Sequence, residues 1–236
     1  TFPYVRQGPF AEPAQYARMV DDTVTQVTLA NTALRVWAVT GHAAIRKLLT
    51  DPRVSASRKH ENFPFYFVAP PQARTETSFI GYDGEEHASA RKKVAGAFTY
   101  QRIQKMRDRI QQVVDGHIDR MLTIGPPLDF HRLFSLSLPT TIICEMLGVP
   151  QGDHDFIIEH SNNMFGIHST PEQRMAAIVD VNAYVERLVE LREKAPGEDL
   201  ISTVLAEYHA SREEYTRRDI VNMVRMLMNG GHETTA

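Results

Sequence analysis

The sequence predicts a mainly α-helical fold with one small β-sheet. Three observations predict it. Two short alternating runs lie early in the chain, helical apolar stripes follow one another from residue 85 onward, and Gly or Pro breaks separate several of those stripes. The 236 residues are 42% hydrophobic and 23% charged, ordinary values for a globular chain with a real core.

The first element is a strand pair. Residues 24–29 alternate, residues 34–39 are rich in β-formers, and Ala30-Asn31-Thr32-Ala33 joins them, so a β-hairpin over 24–39 is expected. A short helix over 42–50 follows, with Ile45, Leu48 and Leu49 on one face, and Asp51-Pro52 stops it. Residues 53–82 show no sustained period and contain Phe63-Pro64-Phe65-Tyr66-Phe67 and Pro70-Pro71. So long a loop is usually a lid or a binding loop, and its aromatics could equally plug the core.

From 85 the chain reads as helices over 85–98, 100–122, 133–147, 153–164, 172–194 and 199–209. Ile103, Met106, Ile110, Val113, Val114, Ile118, Met121 and Leu122 make the second of these one long helix. Gly148 with Pro150 just beyond stops the third. The last helix opens at Thr216-Arg217-Arg218-Asp219, a capping-box pattern, with Ile220, Met223, Val224, Leu227 and Met228 as its stripe. No stop signal follows that stripe, so the sequence is expected to continue past Ala236.

Composition narrows the function classes. A formal net charge of -3 gives no basic footprint for nucleic acid. No apolar run approaches the roughly 18 residues of a membrane span, and Thr1-Phe2-Pro3-Tyr4 does not read as a signal peptide. A single cysteine, Cys144, suits a reducing compartment, so a cytoplasmic protein is expected, and a monomer is expected as well.

Two patterns can carry chemistry. In Gly230-Gly231-His232-Glu233-Thr234-Thr235, two glycines cost roughly 1 kcal/mol each in a helix but remove bulk, so a flat group can lie against the backbone. The threonine hydroxyls can bond carbonyls one turn back, and an acid beside an alcohol can deliver protons. Read locally, the glycine pair could equally end the helix and the polar residues start a loop. A zinc motif beginning at His232 would need a second His at position 236, which is Ala236. The other pattern is His87 and Arg91, four apart on one helix face, donors suited to a carboxylate. By spacing alone they could also be a solvated face partnered by Glu85 and Glu86. Cys144, on an apolar helix, reads as a buried hydrophobe.

Taken together and in order, these patterns resemble the cytochrome P450 superfamily, in its soluble bacterial class. Phe2-Pro3, Val36-Trp37-Ala38-Val39-Thr40 and Asp51-Pro52-Arg53 resemble its N-terminal segment, and 83–99 its C helix. Glu145-Met146-Leu147-Gly148-Val149-Pro150 resembles the end of its E helix, and 230–235 the oxygen-activating centre of its I helix. The resemblance implies the N-terminal portion of a single P450 domain over 1–236, with a B–C loop at 53–82 and helices C to I over 85–236. It implies heme b, with His87 and Arg91 on a propionate and Gly230 and Gly231 letting the I helix pass close over the porphyrin. Thr234 would hold dioxygen and a water, and Glu233 would relay protons, so both would be catalytic.

Phe63, Phe65, Phe79, Met164, Met226 and Asn229 would line the substrate pocket, with 164–177 as a region that opens to admit substrate. The basic cluster Arg91, Lys92, Lys93, Arg102 and Lys105 could steer an acidic iron–sulfur donor. The implied activity is hydroxylation or epoxidation of a small apolar molecule in bacterial secondary metabolism, with electrons from a ferredoxin and its reductase. The family's cysteine ligand and its supporting E-x-x-R pair follow the I helix, so no metal ligand is expected before Ala236. Two other readings remain: a haem-thiolate enzyme using peroxide or reducing a nitrogen oxide, against which Glu233-Thr234 counts, and a non-enzymatic helical ligand binder.

Overall fold

The computed structural model describes residues 1–8, 10–30, 32–65, 74, 78–165, 169–211, 216–232 and 234–236. They fall into two compact units, residues 1–87 and 88–236.

The first unit holds the sheet. Strands β1 (Val24–Thr28) and β2 (Arg35–Val39) pair antiparallel, from Val24 opposite Val39 to Thr28 opposite Arg35. Each is one residue shorter than the alternation suggests, because the chain turns there: Leu29 N bonds Leu34 O at 2.9 Å, and Ala33 takes a positive φ of 54°. Helix α1 (Ala14–Asp21), which the pattern reading missed, follows Pro13 directly. Proline fixes the entry φ of a helix and needs no partner for an amide, so it was the available start signal. Met19, Val27, Leu29 and Phe65 form the buried apolar set. Helix α2 (His42–Leu49) lies where expected, but it buries none of its residues, and Leu49 is 77% exposed.

The second unit is helical. Helix α3 (Gly84–Ala95) crosses the boundary and runs into a 3-10 turn at Gly96–Phe98. The single helix expected over 100–122 is instead two, α4 (Tyr100–Lys105) and α5 (Arg107–Ile124). At the break the Met106 amide lies 3.1 Å from Ile103 O and 3.3 Å from Arg102 O, a tightened turn. Met106 keeps helical dihedrals (φ -80°, ψ -10°), so the apolar stripe passes through undisturbed and conceals the break. The next helix opens with a wide π turn, His131–Leu136, before α6 (Ser137–Leu147). Pro139 has no amide to give the preceding turn, and a wide turn accommodates such a gap.

Helix α6 ends in a Schellman motif, with Gly148 left-handed (φ 73°), Val149 N on Cys144 O at 2.8 Å and Gly148 N on Glu145 O at 3.2 Å. Helices α7 (His154–Phe165), α8 (Pro171–Lys194), α9 (Leu200–Ser211) and α10 (Arg217–His232) follow. Thr170 and Gln173 cap α8 reciprocally with Pro171 in its first turn. Thr216 and Asp219 cap α10 as the sequence predicts, with Thr216 N on Asp219 Oδ2 at 2.8 Å and Asp219 N on Thr216 Oγ1 at 3.3 Å.

Helix α10 packs on α6, α8 and α9. Ile220, Met223, Val224 and Met228 are at most 2% exposed, beside Leu147, Val185, Val189 and Ile201. Burying one such side chain contributes about 1.5–3 kcal/mol, so this contact anchors the unit. An ionic clip joins the ends of three helices beneath it. Arg192 Nε lies 2.9 Å from Asp199 Oδ2, Arg192 Nη2 donates to Gly148 O at 2.6 Å, and Asp199 Oδ1 accepts from Ser202 N at 2.9 Å.

Candidate functional site

Helix α10 does not stop at its glycine pair. It continues through Gly230 and Gly231 to His232, and Thr234-Thr235 form the turn after it. The local alternative, in which the pair ends the helix, therefore fails. Glu233 lies outside the described residues. Met226, Gly230 and Thr234 recur at intervals of four and share one face. Met226 and Asn229 are half-buried, while Gly230 and Thr234 are exposed. Among the described residues, and apart from its chain neighbours and its own helix backbone, no atom lies within 4 Å of the place where a Cβ on Gly230 would stand. The Thr234 hydroxyl donates to Gly230 O, the one-turn-back bond anticipated for it.

The opposite face is packed. A Cβ on Gly231 would stand 2.5 Å from Ile143 Cγ1, so glycine there is required by the approach of α6. His232 is fully buried, and its Nδ1 lies 2.5 Å from Thr140 Oγ1 on α6. Burial pulls the imidazole down to about 4, so it is neutral near pH 7. Thr140 is not singled out by the sequence, and His232 is weighed there only as a zinc ligand. The available signal was a threonine inside an otherwise apolar helix, which needs a polar partner once buried. Cys144 is also fully buried. Burial first, and the charges of Asp153 and Glu145 after it, push its thiol up to about 12. It is therefore held protonated, and iron binds the thiolate form.

On α3, His87 is half-buried with its ring edge-on to Phe79, centroids 6.0 Å apart. Arg91 is exposed and has no hydrogen bond or ion pair among the described residues. Glu86, the acid that could have neutralised this face, pairs instead with Lys59 at 3.1 Å. Phe63 and Phe65 stack tilted at 4.7 Å, Phe65 is buried, and the Arg74 guanidinium sits 5.4 Å from its ring centroid. These aromatics thus bring Phe63 to Phe65 and Phe79 to His87. Residues 66–73 and 75–77 of the same loop, and 166–168 of the region expected to open, lie outside the described residues. Met164 is buried within α7. A cavity of about 620 Å³ opens in the second unit between Arg120, His131, Arg132, Asp155 and Glu159, and none of the predicted pocket residues lines it. Among the described residues, no helix is long and apolar enough to cross a membrane.

No family model matches the chain. A vitamin D3 dihydroxylase of Streptomyces griseolus is 36% identical over 239 residues, covering 100% of this chain and 58% of that protein. Cytochrome P450 105A3 of Streptomyces carbophilus is 35% identical over 241 residues, covering 100% of this chain and 57% of that protein. This chain belongs to the cytochrome P450 family.

The solved P450 MoxA of Nonomuraea recticatena superposes with a TM-score of 0.79 at 35% identity, covering 98% of this chain and 58% of that one. The mycinamicin VIII C21 methyl hydroxylase of Micromonospora griseorubida superposes with a TM-score of 0.85 at 29% identity, covering 99% and 59%. The mainly helical build with a small antiparallel sheet is that P450 fold, and the chain spans about 58% of the length of these relatives. P450 membership implies a haem. The residues present fit such a group: Gly230 offers a side-chain-free strip for a flat macrocycle, and Arg91 offers a guanidinium with no carboxylate on it among the described residues.

Proposed function

We propose that this chain forms part of a haem-thiolate monooxygenase that hydroxylates or epoxidises an apolar small molecule in bacterial secondary metabolism. The observation carrying this reading is the end of α10, where the helix passes through Gly230 and Gly231 and leaves an exposed Thr234 hydroxyl beside an open strip of backbone. Relatives named as a vitamin D3 dihydroxylase and a mycinamicin methyl hydroxylase support the reaction class and a sizeable apolar substrate.

Heme b, held by a cysteine outside this sequence, would supply dioxygen binding and activation. His87 and Arg91 would hold one propionate, the Arg91 fork, unpaired among the described residues, bonding both its oxygens. Gly230 keeps side-chain bulk off the face that would meet the macrocycle, and Thr234 stands four residues on along it. The Thr234 hydroxyl, which donates to Gly230 O, would hold a transferable proton at its Oγ1 beside that open strip. Glu233 would replenish that proton from solvent. Phe63, Phe65, Phe79, Met164, Met226 and Asn229 would shape the substrate pocket. Arg91, Lys92, Lys93, Arg102 and Lys105 would meet an acidic ferredoxin reduced by its reductase.

A carbon monoxide difference spectrum of the reduced full-length protein tests this. The red-shifted Soret band of a thiolate-bound haem is expected, and its absence would remove the reading. In the same protein, Thr234→Ala should lower the product formed per reduced nicotinamide consumed, and undiminished coupling would refute its role. His87→Ala with Arg91→Ala should lower the haem-to-protein ratio after purification.

A further inference from the structure

The packed side of α10 carries a buried polar pair. Thr140 and His232 are both fully buried, on different helices. The Thr140 hydroxyl has one proton, and it lies 2.6 Å from Leu136 O, which can only accept. With that proton on Leu136 O, Thr140 Oγ1 meets His232 Nδ1 as an acceptor, so Nδ1 carries the imidazole hydrogen. One turn along α6, Ile143 fills the notch left by Gly231. Two contacts, one polar and one steric, thus hold two consecutive residues of α10 against one face of α6. The held residues lie between Gly230 and Thr234, and the Thr235 amide returns to His232 O at 3.3 Å. The carbonyl and amide that organise the turn therefore flank the held pair.

We propose that Thr140 is a positioning residue: its hydroxyl fixes His232 as the Nδ1–H tautomer and thereby sets where the backbone of Gly230 and the hydroxyl of Thr234 stand. This rests on the monooxygenase reading for what the turn is used for, and on the α6–α10 contact alone for how the turn is held. Burial supports it, since an imidazole with its pKa pulled to about 4 stays a neutral donor–acceptor through the physiological range.

The test uses the full-length holoenzyme with ¹⁵N-labelled histidine, as the native chain, Thr140→Val and Thr140→Ser. Native His232 should show the nitrogen shifts of an Nδ1–H tautomer. Valine keeps the shape and removes the acceptor, so that signature should be lost and amide exchange at Thr234 and Thr235 should rise about tenfold, the effect of one neutral hydrogen bond. Serine keeps the acceptor and should restore both. With a surrogate ferredoxin and its reductase, the valine variant should also lose more reduced nicotinamide to peroxide than the serine variant. An Nε2–H tautomer in the native protein, or unchanged exchange in the valine variant, overturns the proposal. Should the valine variant fail to fold, the native tautomer and the serine variant still decide it. A missing haem–carbon monoxide signature would sink the monooxygenase reading, while the tautomer and exchange results would still judge the contact.

Discussion

Gly230 and Gly231 are chain neighbours of identical chemistry, yet they sit on faces of α10 that ask opposite things of them. At Gly230 no described atom beyond its own helix backbone and chain neighbours stands within 4 Å of an added Cβ, and at Gly231 an added Cβ would stand 2.5 Å from Ile143. On the packed face a missing side chain lets two helices touch. On the open face it leaves the backbone bare toward whatever lies outside. A glycine pair is therefore two separate requirements, and α10 tolerates the propensity cost because its earlier turns are deeply buried.

The largest expected effect sharpens the packed side through pH. His232 is neutral in the fold, its value lowered by burial to about 4 from an ordinary 6.5. Above pH 6.5 neither state binds the proton. Between 6.5 and 4 the unfolded chain binds it and the folded chain does not, so stability falls as pH falls, by about 1.4 kcal/mol per pH unit and about 3 kcal/mol in all. Below 4 both states are protonated and the dependence flattens. Urea midpoints of the native chain and His232→Asn, compared at pH 7, 6 and 5, should differ by this slope, and parallel pH dependences would contradict it.

Next in size is Gly231→Ala, which forces Ile143 or α10 to shift and should cost about 1–3 kcal/mol of unfolding free energy. Ile143→Ala should cost less in the Gly231→Ala background than in the native chain, and strict additivity in the double mutant would break the comparison. The smallest effect is Gly230→Ala. With open space around it and a helical backbone, alanine should leave stability unchanged or raise it by up to about 1 kcal/mol, read as a small rise in thermal midpoint.

Much of this architecture was legible in the sequence. The hairpin, α2, the Gly148 stop and the Thr216–Asp219 cap came from alternation, periodicity and turn chemistry, which are local. The division at Met106 was not legible, because an apolar stripe reports which face is buried and stays silent when a turn tightens without Gly or Pro. Nor was the burial state of α2, whose stripe looks core-facing and is exposed. At the site, the motif announced Gly230, Gly231 and Thr234. The Thr140–His232 contact joins residues far apart in sequence, and only packing brings them together.

The ionic clip at the ends of α6, α8 and α9 has a consequence of its own. Added Cβ atoms on Gly148 and Gly197 would stand 2.6 Å and 2.7 Å from atoms of the Asp199 carboxylate. The two glycines are thus the walls of a socket cut to the length of an aspartate. A glutamate would bring the same charge on a longer stem and overfill it, so what this position selects is reach.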